Sequence, residues 1–429
     1  MSETEHHGID RPAAGVAPAV AAAARTRRLS SAFGAPGYLW LWLNSLSTSA
    51  AWTVETLGQG WLLLHLTDSA FWVGVGAGVR GAAQLLFSIP AGALADRVDR
   101  RRLLQCTHGV AALGALVLAV LIITRAVKIW HVLAFVGTAG LVNAANRPAA
   151  SGLIYEVVGE RRLLNASALL FMAASLVRIA GAIAGGFVID RLGIGPNYLA
   201  ASVVHVGAVV SLSLLKMPAR ARPAAEPFFK AVMAGLSYSL TRRVRNLMVL
   251  SVFVEAFGFS YHTMIPVMAR DVLKVGAVGL GYLTSMSGIG QLLATMLVAS
   301  RGEVRNRGEL MVGGALGLGV AVLLFGLSPW FLVSLMIVTF AGAMSSTYDA
   351  AIFTVLQTQA SDEMRGRVLG LYYATIGFNQ LGGFGVGALA TLVGVPGALM
   401  IGGSIAAVSA FALLPSVRGI GTPAQSGDR

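Results

Sequence analysis

The sequence predicts an all-α membrane protein, with twelve transmembrane helices in two pseudo-symmetric six-helix bundles. Three observations point there. Hydrophobic residues make up 56% of the 429 and charged residues only 12%, against about 25% charged in soluble proteins. A soluble body of this size could not cover its surface with so few charges. Twelve apolar stretches follow one another, each near the ~20 residues that a bilayer crossing requires. The two halves of the chain also repeat one another.

In chain order, residues 1–35 read as a cytoplasmic tail without structure. Their arginines Arg25, Arg27 and Arg28 follow an alanine-rich stretch, whereas a secretory signal places positive charge before its apolar core. The apolar stretches are 38–65, 70–94, 103–124, 130–152, 164–189 and 197–215, then 246–269, 279–299, 309–328, 331–358, 369–392 and 396–415. The long basic connection 216–245 separates a bundle at 36–215 from a second at 246–415, and residues 416–429 form a second tail.

Orientation follows from Lys and Arg in the loops. With the N-terminus inside, 24 of the 32 Lys and Arg are cytoplasmic, in the tails and in connections such as 97–102 and 216–245. The outer loops hold five: Arg125, Lys128, Arg191, Arg270 and Lys274. Both termini are therefore expected in the cytoplasm of an inner (plasma) membrane protein. The net charge of +13 follows from this topology and calls for no nucleic acid. Cys106 is the only cysteine, which excludes an intramolecular disulfide, a cysteine-based zinc site and an iron–sulfur cluster. No histidine spacing suits zinc, so neither metal nor cofactor is expected.

The halves match at two offsets. Gly81-Ala-Ala-Gln84-Leu-Leu matches Gly288-Ile-Gly-Gln291-Leu-Leu, and the same register pairs Gly74 with Gly281, Asp96 with Glu303 and Arg100 with Arg307. A second register pairs Ala139-Gly140 with Ala341-Gly342, Gly181 with Gly383 and Gly185 with Gly387. Parallel six-helix repeats are a transporter plan, with substrate bound between them near the midplane.

The connection after the second stretch reads Gly92-Ala-Leu-Ala-Asp96-Arg97-Val-Asp99-Arg100-Arg101-Arg102. A terminal glycine permits close backbone approach, and an aspartate among arginines makes a charged cluster on the cytoplasmic face. Such a cluster would hold the halves together and release as they rock; the plainer reading is a topology signal. The pattern resembles the major facilitator superfamily motif Gly-x-Leu-x-Asp-Arg-x-Gly-Arg-Arg, with Asp99 in place of the second glycine. Asp-Arg-x-x-Arg-Arg resembles the branch that includes macrolide and enterobactin exporters. So do Gln59-Gly-Trp61-Leu, Leu66-Thr-Asp-Ser69, Asn165-Ala and Arg365-Gly-Arg-Val-Leu-Gly370. The resemblance covers about residues 36–415. It implies that Asp96 faces the start of the eleventh span near Arg367 and stabilises an outward-facing state, and that the protein is a monomer.

The fifth span carries Arg178-Ile-Ala-Gly181-Ala182-Ile-Ala-Gly185-Gly186. Small residues four apart let helices pack closely in lipid. Gly181, Gly185 and Gly186 also match the antiporter pattern Gly-x-x-x-Gly-Pro-x-x-Gly-Gly of that superfamily, with Ala182 for the proline and Val177 for the leading glycine.

Ionisable groups inside the membrane are costly, and each is a functional candidate by default. Glu55, Arg80, Arg178, Glu255 and Asp349 lie within spans. Glu55 and Glu255 lead as proton carriers, with Asp349 third. Arg80 and Arg178 would serve as counter-charges or anion contacts. The competing reading for each is a fixed ion pair. Arg147 precedes Pro148 near the cytoplasmic edge and is expected to snorkel. His262 follows Glu255 by seven residues, on the same face of a regular helix, so a relay between them competes with plain packing. Phe257, Phe259, Tyr261 and Tyr348 are either cavity lining or core.

No Gly-x-x-x-x-Gly-Lys-Ser/Thr loop exists to bind a nucleotide, so an ion gradient supplies the energy. The leading function is export of an amphipathic small molecule in exchange for protons. The alternative is proton-coupled import of a metabolite on the same fold. Dispersed charges argue against a membrane enzyme, and intact midplane charges argue against a sensor that no longer transports.

Overall fold

The computed structural model describes residues 30–216, 242–300, 306–359, 368, 372 and 375–417. Among them the chain is helical with no strand. After a short turn at Ser30–Gly34 come α1 (Tyr38–Thr67), α2 (Ala70–Arg97), α3 (Arg100–Ile123), α4 (Ile129–Val158), α5 (Glu160–Arg191) and α6 (Ile194–Leu214). Past the basic connection, α7 is an interrupted helix: Arg242–Phe253, a π turn at Val254–Gly258, Tyr261–Val267, and a second π turn at Met268–Val272. Then follow α8 (Gly276–Ser300), α9 (Arg307–Leu327), α10 (Phe331–Gln359) and α11 (Gly377–Val417). Nine of these helices, among the described residues, are long and apolar enough to cross a membrane. The other two, α1 and α8, carry polar and glycine positions that face the interior.

The apolar stretches expected from 38 to 358 fall on α1 to α10; α11 carries residues 377–392 of the eleventh, whose first residues lie largely outside the described ones, and all of the twelfth. Gly394 divides α11 with φ 74° and ψ 165°, a conformation that costs an L side chain and suits glycine. Short connections follow from local chemistry. Asp99, which stands where the superfamily motif has glycine, has an ordinary φ of −62° and caps α3, its carboxylate accepting Arg102 N–H at 2.9 Å. A cap of this kind contributes about 1 kcal/mol.

Helix contacts inside the protein use small residues, as expected where lipid removes the hydrophobic gain of helix association. Large apolar side chains such as Leu86, Leu113, Leu332 and Leu392 stay exposed, on surfaces that lipid would cover. Within the first six helices α2 packs on α4, α3 on α6, and α1 on α5 and α6; in the later set α9 packs on α10 and α11, and α8 on α10.

The two main crossings between the early helices and the late ones are α2 with α11 and α5 with α8. Both close at glycines. A Cβ added to Gly74 would lie 2.9 Å from Gly383 O and from Gly387 Cα; one added to Gly186 would lie 2.6 Å from Ala277 O and 3.1 Å from Gly281 Cα. The glycines that reveal the internal repeat are thus largely the ones that let the halves touch. The repeat recurs within the halves: a Cβ on Gly140 would meet Arg80 O at 2.5 Å, and one on Gly342 would meet Ser287 O at 2.1 Å. Arg80 and Ser287 occupy equivalent positions in the repeat, so the charge is confined to one half.

Candidate functional site: a polar cavity between the halves

A cavity of about 420 Å³ lies among α1 to α6 and reaches the start of α11; a second lobe of about 200 Å³ lies among α1, α2, α5, α7, α8 and α11. Trp52, Arg80, Arg178, Asn379 and Gln380 line both. These five side chains mark the waist where the lobes meet.

Glu55 lines the larger lobe and is buried, and its carboxylate stands 2.9 Å from His205 Nε2. The other ring nitrogen of His205 is 3.0 Å from His108 Nδ1, and His108 Nε2 is 3.3 Å from Thr48 Oγ1. Thr48 in turn donates to Asn44 O at 2.8 Å. The result is one hydrogen-bonded chain across α1, α6 and α3. Between two Nδ1 atoms only one can donate when both rings are neutral, so the tautomers of the two histidines are linked.

Arg80 is 3% exposed. Its Nη2 donates to Gln59 Oε1 at 2.6 Å, and its Nη1 has no hydrogen-bond partner among the described residues. Arg178 donates to Ser175 Oγ at 3.2 Å. His262 lines the smaller lobe, its ring stacked on Tyr261 with centroids 4.1 Å apart.

Glu255 lies outside both linings, buried behind Asn379, whose amide is within hydrogen-bonding reach of its carboxyl. Asp349 and Arg147 are close enough to act on it electrostatically, and Asp349 accepts from Tyr372 OH at 3.3 Å. The π turn at Val254–Gly258 separates Glu255 from His262. One residue beyond α-helical register rotates the following face by about 100°, so the shared face expected of a regular helix is broken. Arg147, expected to snorkel at the membrane edge, lines the larger lobe instead. Phe259, Tyr261 and Tyr348 belong to the core.

The basic cluster after α2 is tied within the early helices: Arg100 pairs with Glu156 at 2.9 Å, and Arg101 donates to Ser213 O at 2.7 Å. Arg97 is exposed, and no described residue lies within 4 Å of a Cβ built on Gly92. Arg307 opens α9. The expectations at the Asp96 side chain, Glu303 and Arg367 lie outside the described residues. Of the fifth-span glycines, Gly186 meets α8, Gly185 meets Leu57 of α1 at 3.2 Å, and Gly181 makes only ordinary contact, at 3.7 Å, with Thr53.

On the face that carries the α1–α2 connection the halves are clamped. Arg270 donates to Leu64 O at 2.9 Å and pairs with Asp68 of α1's C-cap, while Asp271 holds its Nε at 2.5 Å. Nearby, a Cβ on Gly60 would meet Pro266 Cγ at 2.6 Å. The sequence marks Arg270 only as an outer-loop charge, because its partners across the halves lie 202 and 206 residues away.

Comparison with known proteins agrees with this architecture. The family described as transmembrane secretion effector matches residues 30–419. The enterobactin exporter EntS of Shigella boydii serotype 18 is 26% identical over 359 residues, 81% of this chain and 82% of that protein. The same exporter from Escherichia coli O1:K1 matches at the same identity and coverage. Among solved structures, the nucleoside transporter NupG superposes with a TM-score of 0.72 at 12% identity, over 89% of this chain and 99% of that one. A bacterial homologue of the lysosomal transporter Spinster gives 0.71 at 15% identity, over 90% and 97%. With helices, central cavity and family match in agreement, the chain belongs to the transmembrane secretion effector family of the major facilitator superfamily, a family of membrane transporters in the enterobactin exporter branch.

Proposed function

We propose that the protein is a secondary transporter that exports an amphipathic small molecule in exchange for protons, by alternating access. The exporters among its relatives support the direction. The bend at Gly394 supports reading α11 as two crossings, for twelve in all, in bundles at 36–215 and 246–415. The weight of Lys and Arg in 97–102 and 216–245 supports a cytoplasmic position for both termini. On that reading the clamped face is the outer one.

One observation carries the proton coupling: the chain Glu55–His205–His108–Thr48 borders the cavity at Glu55, His205 and Thr48, with His108 buried between them. A buried carboxylate beside an imidazole pair is a proton store that two titratable neighbours can fill or empty. Glu255 and Asp349, behind Asn379, form a second acidic pair on the late helices.

The test is accumulation of dyes, macrolides and siderophores in a bacterium stripped of its own exporters, comparing the native chain with Glu55→Gln, with and without an uncoupler. Lower accumulation of a compound, abolished by the substitution and by uncoupling, is expected. Raised, gradient-dependent accumulation would make the protein an importer. Lowered accumulation that survives both uncoupling and Glu55→Gln would overturn proton exchange.

A further inference from the structure

We infer that the cavity takes an amphipathic organic anion, its acidic group seated at Arg80 and Arg178. The inference rests on the transport reading above and names the substrate class of that same cavity.

Charge inside the cavity is one-sided. The linings of the two lobes contain three guanidinium groups, Arg80, Arg147 and Arg178, and one carboxylate, Glu55. That carboxylate is held by His205 at 2.9 Å. Arg80 feels its charge, yet the hydrogen bond that Arg80 makes goes to the neutral Gln59. Its Nη1 is buried and has no partner among the described residues. Arg178 is likewise bonded to a neutral hydroxyl, Ser175. A buried donor without a partner is expensive, more so when it is charged.

A carboxylate, phenolate or sulfonate would satisfy it with charge-assisted hydrogen bonds, which the planar guanidinium is shaped to donate. Both arginines stand at the waist, so an anion there is reached from either lobe. Trp52 lies at the same waist, 41% exposed, and Phe135 lines the larger lobe. They offer rings against which the apolar body of such a molecule would stack. The amides of Asn379 and Gln380 complete a set of donors around the waist. The second half offers no equivalent cation at the position of Arg80, because Ser287 stands there and bonds Tyr261 at 2.9 Å. A substrate carrying one acidic end and one apolar end matches this asymmetry.

The test uses two dyes on one ring system, fluorescein (an anion) and rhodamine 123 (a cation). Binding to the full chain in lipid nanodiscs is read by fluorescence anisotropy. Fluorescein is expected to bind about tenfold or more tighter than rhodamine 123. Arg80→Gln and Arg178→Gln should each weaken fluorescein by about tenfold, the value of a hydrogen bond to a charged group. Arg80→Lys should keep part of the affinity, and an unchanged elution profile would show each variant folded. Equal or tighter binding of rhodamine 123, no binding of fluorescein, or glutamine variants that bind it as the native chain does would each overturn the anion site. Energised inside-out vesicles separate this from the export reading. Arginine-dependent binding of fluorescein without its gradient-driven uptake would leave the anion site standing and count against export. Uptake of rhodamine 123 without fluorescein binding would do the reverse.

Discussion

Replacing Gly186 by alanine tests how the halves meet. The added methyl would lie 2.6 Å from Ala277 O and 3.1 Å from Gly281 Cα. Both are backbone atoms of α8, so no side chain can turn away to make room. Overpacking a close contact costs typically about 1–3 kcal/mol. On the alternating-access proposal α5 and α8 part on this face in the other state and free the methyl, so the cost would fall on one state alone. A difference of that size shifts a two-state equilibrium by roughly 5- to 150-fold. The readout is the distance between spin labels at Arg125→Cys and Leu392→Cys, which are exposed, in a Cys106→Ser background. Gly186→Ala should populate longer distances. Gly181→Ala, whose methyl would meet nothing closer than Thr53 at 3.7 Å, should leave the distribution native. A native distribution in folded Gly186→Ala, or an equal shift in Gly181→Ala, would refute the reasoning.

Other outcomes follow from the same geometry. Arg270→Ala should lengthen the same label distance, but less, because Asp68 is 86% exposed and exposed pairs contribute about 0.2–1 kcal/mol; a shift exceeding that of Gly186→Ala would contradict this. His205→Ala leaves Glu55 and His108 buried without the ring that joins them, and a buried polar group left without its hydrogen-bond partner costs about 1–3 kcal/mol. Its melting temperature, followed by thermal unfolding in detergent, should therefore fall further than that of His262→Ala. Gly342→Ala would place a methyl 2.1 Å from Ser287 O within the late helices. It should reduce the yield of folded protein in size-exclusion chromatography, whereas Gly92→Ala should not.

Much of the fold was legible in the sequence, for a physical reason. A bilayer demands long apolar helices, and the apolar stretches between 38 and 358 each fall on one. Gly394 lies in the gap left between 392 and 396. The glycine repeat was legible too, since only glycine tolerates the approaches at Gly74 and Gly281. The site was legible in part. Glu55, Arg80 and Arg178 are costly inside a membrane, and the structure gathers them on one cavity. His108 and His205 give no signal in the sequence, because 97 residues separate them and only the packing of α3 on α6 brings them together. The link from Glu255 to His262 failed at a π turn, an irregularity that a period of 3.6 cannot express. Arg147 misled through its position near a helix end, where snorkelling and cavity lining look alike.

The most direct test of the central claim needs no substrate. It is the label distance between positions 125 and 392 in nanodiscs, followed across roughly pH 5 to 8, the range in which an ordinary histidine changes charge. If protons drive alternation through the Glu55–His205–His108 chain, the native protein shifts its population with pH and Glu55→Gln does not. A population that ignores pH, or a shift that persists in Glu55→Gln, would contradict the account.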